Sequence, residues 1–219
     1  MTIQLAALAS GEGTNIAAII KSIESGRLEA RMCLVLSNRP DAPVLDKARE
    51  RGIPVWAKDH REAADKAQYD LEMVEAIKQA GADTIALAGY MRILSPEFIR
   101  AFPNRILNIH PAILPSFRGK TGAKDTIEYG ARIAGATVHF VDEAVDHGPV
   151  IIQAAVPVGP NDTADSLMPR IHALEHRIYP QALQWFARNR LEIQGRKVHL
   201  KAGRFPSPKS ATVNTGMPG

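Results

Sequence analysis

The 219-residue sequence contains one cysteine, Cys33, so no internal disulfide can form. Cys33 lies in the apolar run Met32 to Leu36 and reads as a buried, inert core residue of a protein kept in a reducing compartment, with the cytoplasm as the expected location. Aromatic residues make up only 5% of the chain and are not interleaved with its basic residues, which argues against nucleic acid as a partner. No run of about 18 apolar residues occurs, so no membrane-spanning helix is expected. Met1-Thr2-Ile3 leads straight into an apolar run without a basic segment before it, so no secretory signal is expected either. Internal repeats are absent, which removes solenoid architectures.

What is present is ordinary for a globular protein, with 45% hydrophobic and 23% charged residues. The length suits one domain, or one domain with an appendage. The formal net charge of +4 is unevenly spread. Beyond Phe186 come Arg188, Arg190, Arg196, Lys197, Lys201, Arg204 and Lys209, against Glu192 alone. Without a recognisable nucleic-acid module this end reads as solvated and soluble. A mild positive balance also suits small anionic substrates.

The chain is organised around Leu107 to Gly119. Side chains alternate faces along a strand, so Asn108 and His110 project side by side while Ile109 faces the core. Pro111 cannot extend a hydrogen-bonded ladder and biases the residue before it towards extended backbone, so the strand is expected to end at His110. An amide donor and an imidazole then sit at a strand's carboxyl tip, where ligands bind in open α/β sheets.

Before that stretch, strands and helices alternate. Ile3 to Ala9 is an apolar run typical of a strand buried on both faces. Ser10-Gly-Glu-Gly-Thr-Asn15 follows, then Ile16, Ile19, Ile20 and Ile23 at helical spacing as far as Gly26. Met32 to Leu36 reads as a strand, Val44 to Arg51 as a short helix and Val55 to Ala57 as a strand. A helix capped by Asp59, with room for a break, runs to Gly81 with Leu71, Val74 and Ile77 inward. Thr84 to Ala88 is a strand, Ser95-Pro96 opens a helix through Ala101, and Arg105 to His110 is the central strand. After Gly119 come a helix from Lys124 to Tyr129 and strands at Gly135 to Val141 and Val150 to Val158, joined by a loop instead of a helix. Ala164 to Arg190 closes the series as a helix with Leu167, Ile171, Leu174 and Ile178 as its stripe, which Pro180 should kink or break. The expectation is an α/β fold: a Rossmann-like, open, mostly parallel sheet with helices on both faces and an antiparallel hairpin near the C-terminal end. Residues 1–202 are expected to form a single domain, with 203–219 as a Pro-rich basic tail.

Several motifs have both a chemical and a plain reading. Gly11-x-Gly13 lacks the third glycine of a dinucleotide fingerprint, since Ile16 stands there. Thr14 and Asn15 are good capping residues, and the helix amino terminus offers N–H groups to an anion, although a simple capped turn would look the same. His172-Ala-Leu-Glu-His176 matches a zinc-peptidase pattern on the right kind of element, but no third ligand is placed by any signature. Glu175 lies beside the apolar stripe, either as a helix-end salt bridge or as a ligand contact. His139, within a strand, reads as a satisfied core histidine. Asp142, Glu143 and Asp146 crowd one loop, where such carboxylates usually cap turns. They acquire chemical meaning if one of them reaches His110 and favours its charged form.

Together these residues resemble the folate-dependent formyltransferases. The matching pieces are Ser10-Gly-x-Gly-Thr-Asn15, Ala88-Gly-Tyr-Met-Arg-Ile-Leu94, Leu107-Asn-Ile-His-Pro-Ala-Ile-Leu-Pro115, Gly135-Ala-Thr-Val-His-Phe-Val141, Asp146-x-Gly-Pro-Val-Ile-Ile-Gln153 and Glu175-His-x-Ile-Tyr-Pro180, in order over residues 1–190. The resemblance implies transfer of the formyl group of 10-formyltetrahydrofolate, as co-substrate and without a metal, to the amine of glycinamide ribonucleotide in purine synthesis. It implies Asn108, His110 and Asp146 as the catalytic trio, with Asn108 and protonated His110 donating to the formyl oxygen. Gly13, Thr14, Asn15 and Glu175 would hold the ribonucleotide. Lys66, Met91, Arg92, Ile93, Leu94, Asn108, Asp142 and Val145 would hold the folate. The implied partners are small molecules, with no nucleic acid and no membrane, and a homodimer is compatible with the resemblance.

The chain departs from the family pattern at Lys66, where an arginine is usual, and in Lys120-Thr-Gly-Ala-Lys124, which lacks the histidines of many members. Two relatives share the Asn-x-His and Asp pattern. The tRNA-directed enzyme carries a C-terminal RNA-binding domain and the formyltetrahydrofolate hydrolase an N-terminal regulatory one, and the chain length is expected to accommodate neither. A non-catalytic nucleotide-binding module would keep the glycine loop but has no need of the trio. Separation of His110 and Asp146 by more than one bridging water would favour the module.

Overall fold

In the computed structural model, which describes residues 2–119 and 121–202, strands alternate with helices in the order the hydrophobic runs predict. The expected tail at 203–219, and Lys120 in the loop that lacks histidines, lie outside the described residues. Six helices and nine strands are assigned among the described residues: β1 Ile3–Leu8, α1 Thr14–Glu24, β2 Ala30–Ser37, α2 Pro43–Arg49, β3 Val55–Ala57, α3 Lys66–Gln79, β4 Thr84–Leu87, α4 Pro96–Ala101, β5 Ile106–His110, α5 Gly122–Glu128, β6 Ile133–Phe140, β7 Val150–Pro157, α6 Ala164–Ala187, β8 Leu191–Gln194 and β9 Lys197–Leu200.

The strands form one sheet in the order β3-β2-β1-β4-β5-β6-β7-β9-β8. From β3 to β5 every pairing is parallel, and β6 and β7 then add antiparallel. Apolar residues in the parallel part serve both faces by simple alternation. Leu5 and Ala7 join a core with Ile19, Leu45, Ile171 and Ile178 under α1, α2 and α6, whereas Ala6 and Leu8 join Tyr69, Met73, Ile77 and Phe98 under α3 and α4. Strand β1 pairs with β2 on one side and β4 on the other, so the chain reverses direction across the sheet there, opening a crevice at the carboxyl ends of both strands. Buried Ser10 ties the two loops that leave this crevice. Its N–H donates to Gly89 O (3.0 Å), its Oγ accepts from Met91 N (2.8 Å), and its hydroxyl donates to Asn38 Oδ1 (2.6 Å).

Several local expectations are corrected. Asp59 does cap a turn, but only the 3-10 turn His60–Glu62. The helix proper starts at Lys66 under a second cap, Asp65, whose Oδ1 accepts from Gln68 N at 2.8 Å. Leu71, expected inward, is 51% exposed, and Tyr69, Met73 and Ile77 carry the core stripe with Val74. At 100° per residue, Leu71 falls off the line that joins Tyr69, Met73 and Ile77. Leu174 is likewise only half-buried, and Glu175 takes the inward place. Helix α6 ends at Ala187 and runs through Pro180 as one element. Pro180 itself, Ile178, Tyr179, Ala182 and Leu183 are all buried around it. At about 1.5–3 kcal/mol for each large side chain, that packing outweighs the roughly 3 kcal/mol helix penalty of a proline.

Neither Thr14 nor Asn15 caps α1. Gly13 is the N-cap, left-handed at φ 70, and no side chain caps the helix. Finally, the basic segment past α6 is more than a solvated end. Leu191–Gln194 and Lys197–Leu200 form an antiparallel hairpin around Gly195, and the second strand joins β7 in parallel at Lys197 opposite Val150.

Candidate active site

Strand β5 ends at His110, as the proline after it dictates, and Ile109 is buried in the core beneath α6. Asn108 and His110 therefore share the opposite face at the strand's tip. One side chain fixes the strand at this depth: the buried Tyr179 hydroxyl lies 2.9 Å from both the Leu87 and the Leu107 carbonyl oxygens, joining β4 to β5 just before the site.

The two polar side chains are held in defined orientations. His110 Nε2 lies 2.9 Å from the Phe117 carbonyl, which can only accept, so Nε2 carries a proton and Nδ1 is the nitrogen left for chemistry. Nδ1 faces Asp146 Oδ2 at 3.5 Å, within the one-water limit, with His110 buried and Asp146 nearly so. That same Asp146 oxygen accepts from Gly119 N at 2.8 Å, and the residue takes a left-handed backbone, φ 49. A carboxylate so placed stabilises positive charge on the imidazole.

Asn108 is oriented by His139 on the neighbouring strand β6, directly opposite it in register. His139 Nδ1 lies 2.7 Å from the Phe140 carbonyl and therefore carries the proton. Nε2 is left to accept from Asn108 Nδ2 at 3.1 Å. Burial pushes the His139 pKa down and keeps the ring neutral, which suits this acceptor role. One hydrogen of the Asn108 amide is thus spent on positioning, and the other is free to donate into the cavity. His139 is the satisfied histidine that its strand position implies, yet it also lines the site. Its spacing two residues before Val141 and its pairing opposite Asn108 become visible only once β5 and β6 are in register.

The glycine loop lies at the other end of the same crevice. Helix α2 braces it: Val44 N donates to Gly11 O at 3.2 Å, and Lys47 Nζ donates to both Glu12 O and Glu12 Oε2 at 2.8 Å. A Cβ at Gly13 would lie 2.2 Å from Val44 Cγ2, so the position needs glycine for both space and its positive φ. Because no side chain caps α1, its first N–H groups face the crevice and offer an anion site. Asn15 does not cap the helix. Its Nδ2 donates to Glu175 Oε2 at 2.8 Å, and its buried Oδ1 has no hydrogen-bond partner. Burial raises the Glu175 pKa, and the Asn15 hydrogen bond pulls it partly back. Glu175 is therefore a contact into the crevice, not a helix-end salt bridge. His172, one helical turn before it, lines the crevice too, a placement that the helical spacing from Glu175 could have indicated.

One cavity of about 980 Å³ is lined by every residue of the expected site: Gly13 to Asn15 and Glu175, Asn108, His110 and Asp146, and Lys66, Met91 to Leu94, Asp142 and Val145. On its wall Met91 and Ile93 are exposed apolar side chains, while the Arg92 guanidinium turns back over the Tyr69 ring at 4.7 Å. Lys66 Nζ donates to Leu94 O at 3.3 Å, so its ammonium stays on this wall. Arg39, in the turn after β2, also reaches the cavity and was missed because turn composition carries no direction. The H-x-x-E-H pattern does not assemble a metal site. His172 and His176 stack at 6.2 Å, Glu175 is turned to Asn15, and among the described residues no cluster of three or more His, Cys, Asp or Glu could hold an ion. Among the described residues no helix is long and apolar enough to cross a membrane.

Three similarities bear on this geometry. The chain is 39% identical over 204 residues to phosphoribosylglycinamide formyltransferase of Escherichia coli K12, covering 91% of this chain and 94% of that one. It is 43% identical over 182 residues to the trifunctional purine biosynthetic protein adenosine-3 of Drosophila melanogaster, which covers 82% of this chain but only 14% of that much longer protein. Its fold superposes on the crystal structure of glycinamide ribonucleotide transformylase 1 from Symbiobacterium toebii with a TM-score of 0.90 and 44% identity, covering 92% and 95% of the two chains. A family model described as formyl transferase matches residues 3–183, from the first residue of β1 to within four residues of the end of α6, and the chain accordingly belongs to the formyl transferase family.

Proposed function

We propose that the protein transfers the formyl group of 10-formyltetrahydrofolate to the amine of glycinamide ribonucleotide, in the cytoplasm and without nucleic acid. The observation that carries this reading is one cavity lined by an uncapped helix amino terminus, by the exposed apolar Met91, Ile93 and Val145, and by the Asn108–His110–Asp146 group. A phosphate and an extended aromatic co-substrate can bind there together only if their reacting atoms meet near Asn108 and His110.

The folate co-substrate supplies the formyl carbon; the chain supplies donors, acceptors and orientation. The α1 N–H groups take the ribonucleotide phosphate, and Glu175, fixed by Asn15, takes the ribose hydroxyls. As the amine nitrogen bonds to the formyl carbon, negative charge develops on the formyl oxygen. The free Asn108 N–H and the protonated His110 Nδ1 donate to it, each such donor being worth about 10²–10³ in rate. Asp146 stabilises the imidazolium and, directly or through a water, carries the amine proton to the folate nitrogen as the carbon–nitrogen bond to folate breaks. At the folate end, Met91, Ile93 and Val145 supply apolar contact, while the Arg92 to Leu94 backbone, Lys66 and Asp142 supply polar contact.

The test is tetrahydrofolate release measured with and without glycinamide ribonucleotide. Release that requires the ribonucleotide and yields the formylated product supports the reading. Release of tetrahydrofolate and formate without it identifies a hydrolase, and no release at all leaves a nucleotide-binding module.

A further inference from the structure

The β6–β7 loop, from Val141 to Pro149, carries Asp142 and Asp146, and its ladder partner on the far side is the hairpin that follows α6. Strand β9 meets β7 at Lys197 opposite Val150, immediately after the loop ends. The residue before Lys197, Arg196, reaches into the loop itself. Its Nη2 donates to the His147 carbonyl at 2.6 Å, and its Nη1 lies 3.0 Å and 3.2 Å from the two ring nitrogens of His147. One guanidinium nitrogen thus holds the carbonyl while the other lies against the ring, a two-point contact that a single ammonium nitrogen cannot make. The same ring sets its Nδ1 2.8 Å from Asp142 Oδ2, and Asp142 Oδ1 accepts from Ala144 N at 3.1 Å.

The carbonyl that Arg196 grips belongs to the residue directly after Asp146. Asp146 is a non-glycine residue at φ 49, a conformation that persists only where surrounding contacts over-determine it. On one side Gly119 N holds its carboxylate at 2.8 Å, and on the other the Arg196 guanidinium holds the following peptide. Gly148 closes the turn, since a Cβ there would lie 1.9 Å from Phe140 O.

We propose that Arg196 is a positioning residue for the formyl transfer: from outside the cavity it clamps His147, and through it keeps Asp146 and Asp142 in their working orientation. This rests on the reaction proposed above. The hairpin past α6 is then a brace for the catalytic loop, joined to it by Arg196 and by the Lys197–Val150 ladder.

The test compares the full-length wild type with R196A and R196K, in formyl transfer and in amide hydrogen exchange across residues 142–148. R196A is expected to lower kcat about tenfold, as a displaced catalytic group does, and to raise the folate KM while leaving the ribonucleotide KM alone. Loop amides should exchange faster, the melting temperature should stay at the wild-type value, and added methylguanidinium should restore part of the lost kcat. R196K, with charge but no fork, should fall between the two. A wild-type kcat in R196A overturns the proposal, as does a kcat loss accompanied by a lower melting temperature and no rescue by methylguanidinium. If wild type itself transfers no formyl group, the reaction is wrong, and unchanged loop exchange in R196A then refutes the brace separately.

Discussion

Asp146→Asn separates charge from shape better than any other substitution in the site. The asparagine oxygen can still accept from Gly119 N, now 2.8 Å away, and its nitrogen takes the place of the oxygen 3.8 Å from His139 Nε2, which carries no proton to clash with it. The loop therefore keeps its contacts and loses only a negative charge 3.5 Å from His110 Nδ1. At an effective dielectric of about 20, a full unit charge pair at that distance is worth about 5 kcal/mol, a ceiling of several thousandfold in rate. Asp146 keeps 12% of its side-chain surface in contact with solvent, which screens part of that interaction. The expected loss in kcat is about 10²–10³-fold, with both KM values within about threefold of wild type, because the charge acts on the transition state and not on ground-state binding. Steady-state tetrahydrofolate release over a grid of both substrates measures it, with circular dichroism as the control for fold. A kcat within about fivefold of wild type would refute the role given to Asp146. So would a loss appearing wholly in KM.

Two further perturbations test the ribonucleotide end. The Glu175 pKa is raised above its ordinary 4.5 by burial, so folding favours the protonated form. The stability this group contributes is full below the unfolded-state value and is lost as pH rises through the folded-state value. Glu175→Gln should therefore melt like wild type at about pH 4 and above it near pH 7, while its ribonucleotide KM rises. An offset in melting temperature that is the same at both pH values would contradict the buried-carboxylate account. Gly13→Ala adds a methyl 2.2 Å from Val44 Cγ2 at φ 70, which should cost about 2–4 kcal/mol of stability from overpacking and left-handed strain together. Adding Val44→Ala removes the Cγ2 contact but leaves the Val44 Cβ 2.7 Å away and the strain unchanged, so the double variant should recover part of the loss in a thermal or urea melt. Full recovery would remove left-handed strain from the account, and no loss in the single variant would show that the loop is not held against α2.

The relation between sequence and structure differs from place to place along the chain. Where a local rule is strict, the residues were readable in advance. Pro111 ends β5 at His110, and alternation puts Asn108 and His110 on one face and Ile109 in the core. Ser95-Pro96 opens α4 with the Ser95 hydroxyl accepting from Phe98 N, because cap and proline both act within one turn. Where the rule was loose, packing overturned the expectation. Leu71 and Met73 are both apolar, and contact with Tyr69 and Phe98 puts Met73, not the expected Leu71, against the sheet.

By itself the sequence determined the order of strands and helices as far as α6, the mostly parallel sheet, the strand tip with its amide and imidazole, and the glycine loop ahead of a helix. Each of these rests on backbone sterics or side-chain period, which operate over a few residues. Tertiary structure decided which groups meet: Asn15 with Glu175 across 160 positions, Asp146 with His110 and Gly119, His139 with Asn108, and Arg196 with His147 across 49. Such pairings depend on strand order, register and helix rotation, quantities that arise only when the whole sheet closes over its two cores. They are also the contacts that turn a strand tip and a glycine loop into a site with a direction for its protons.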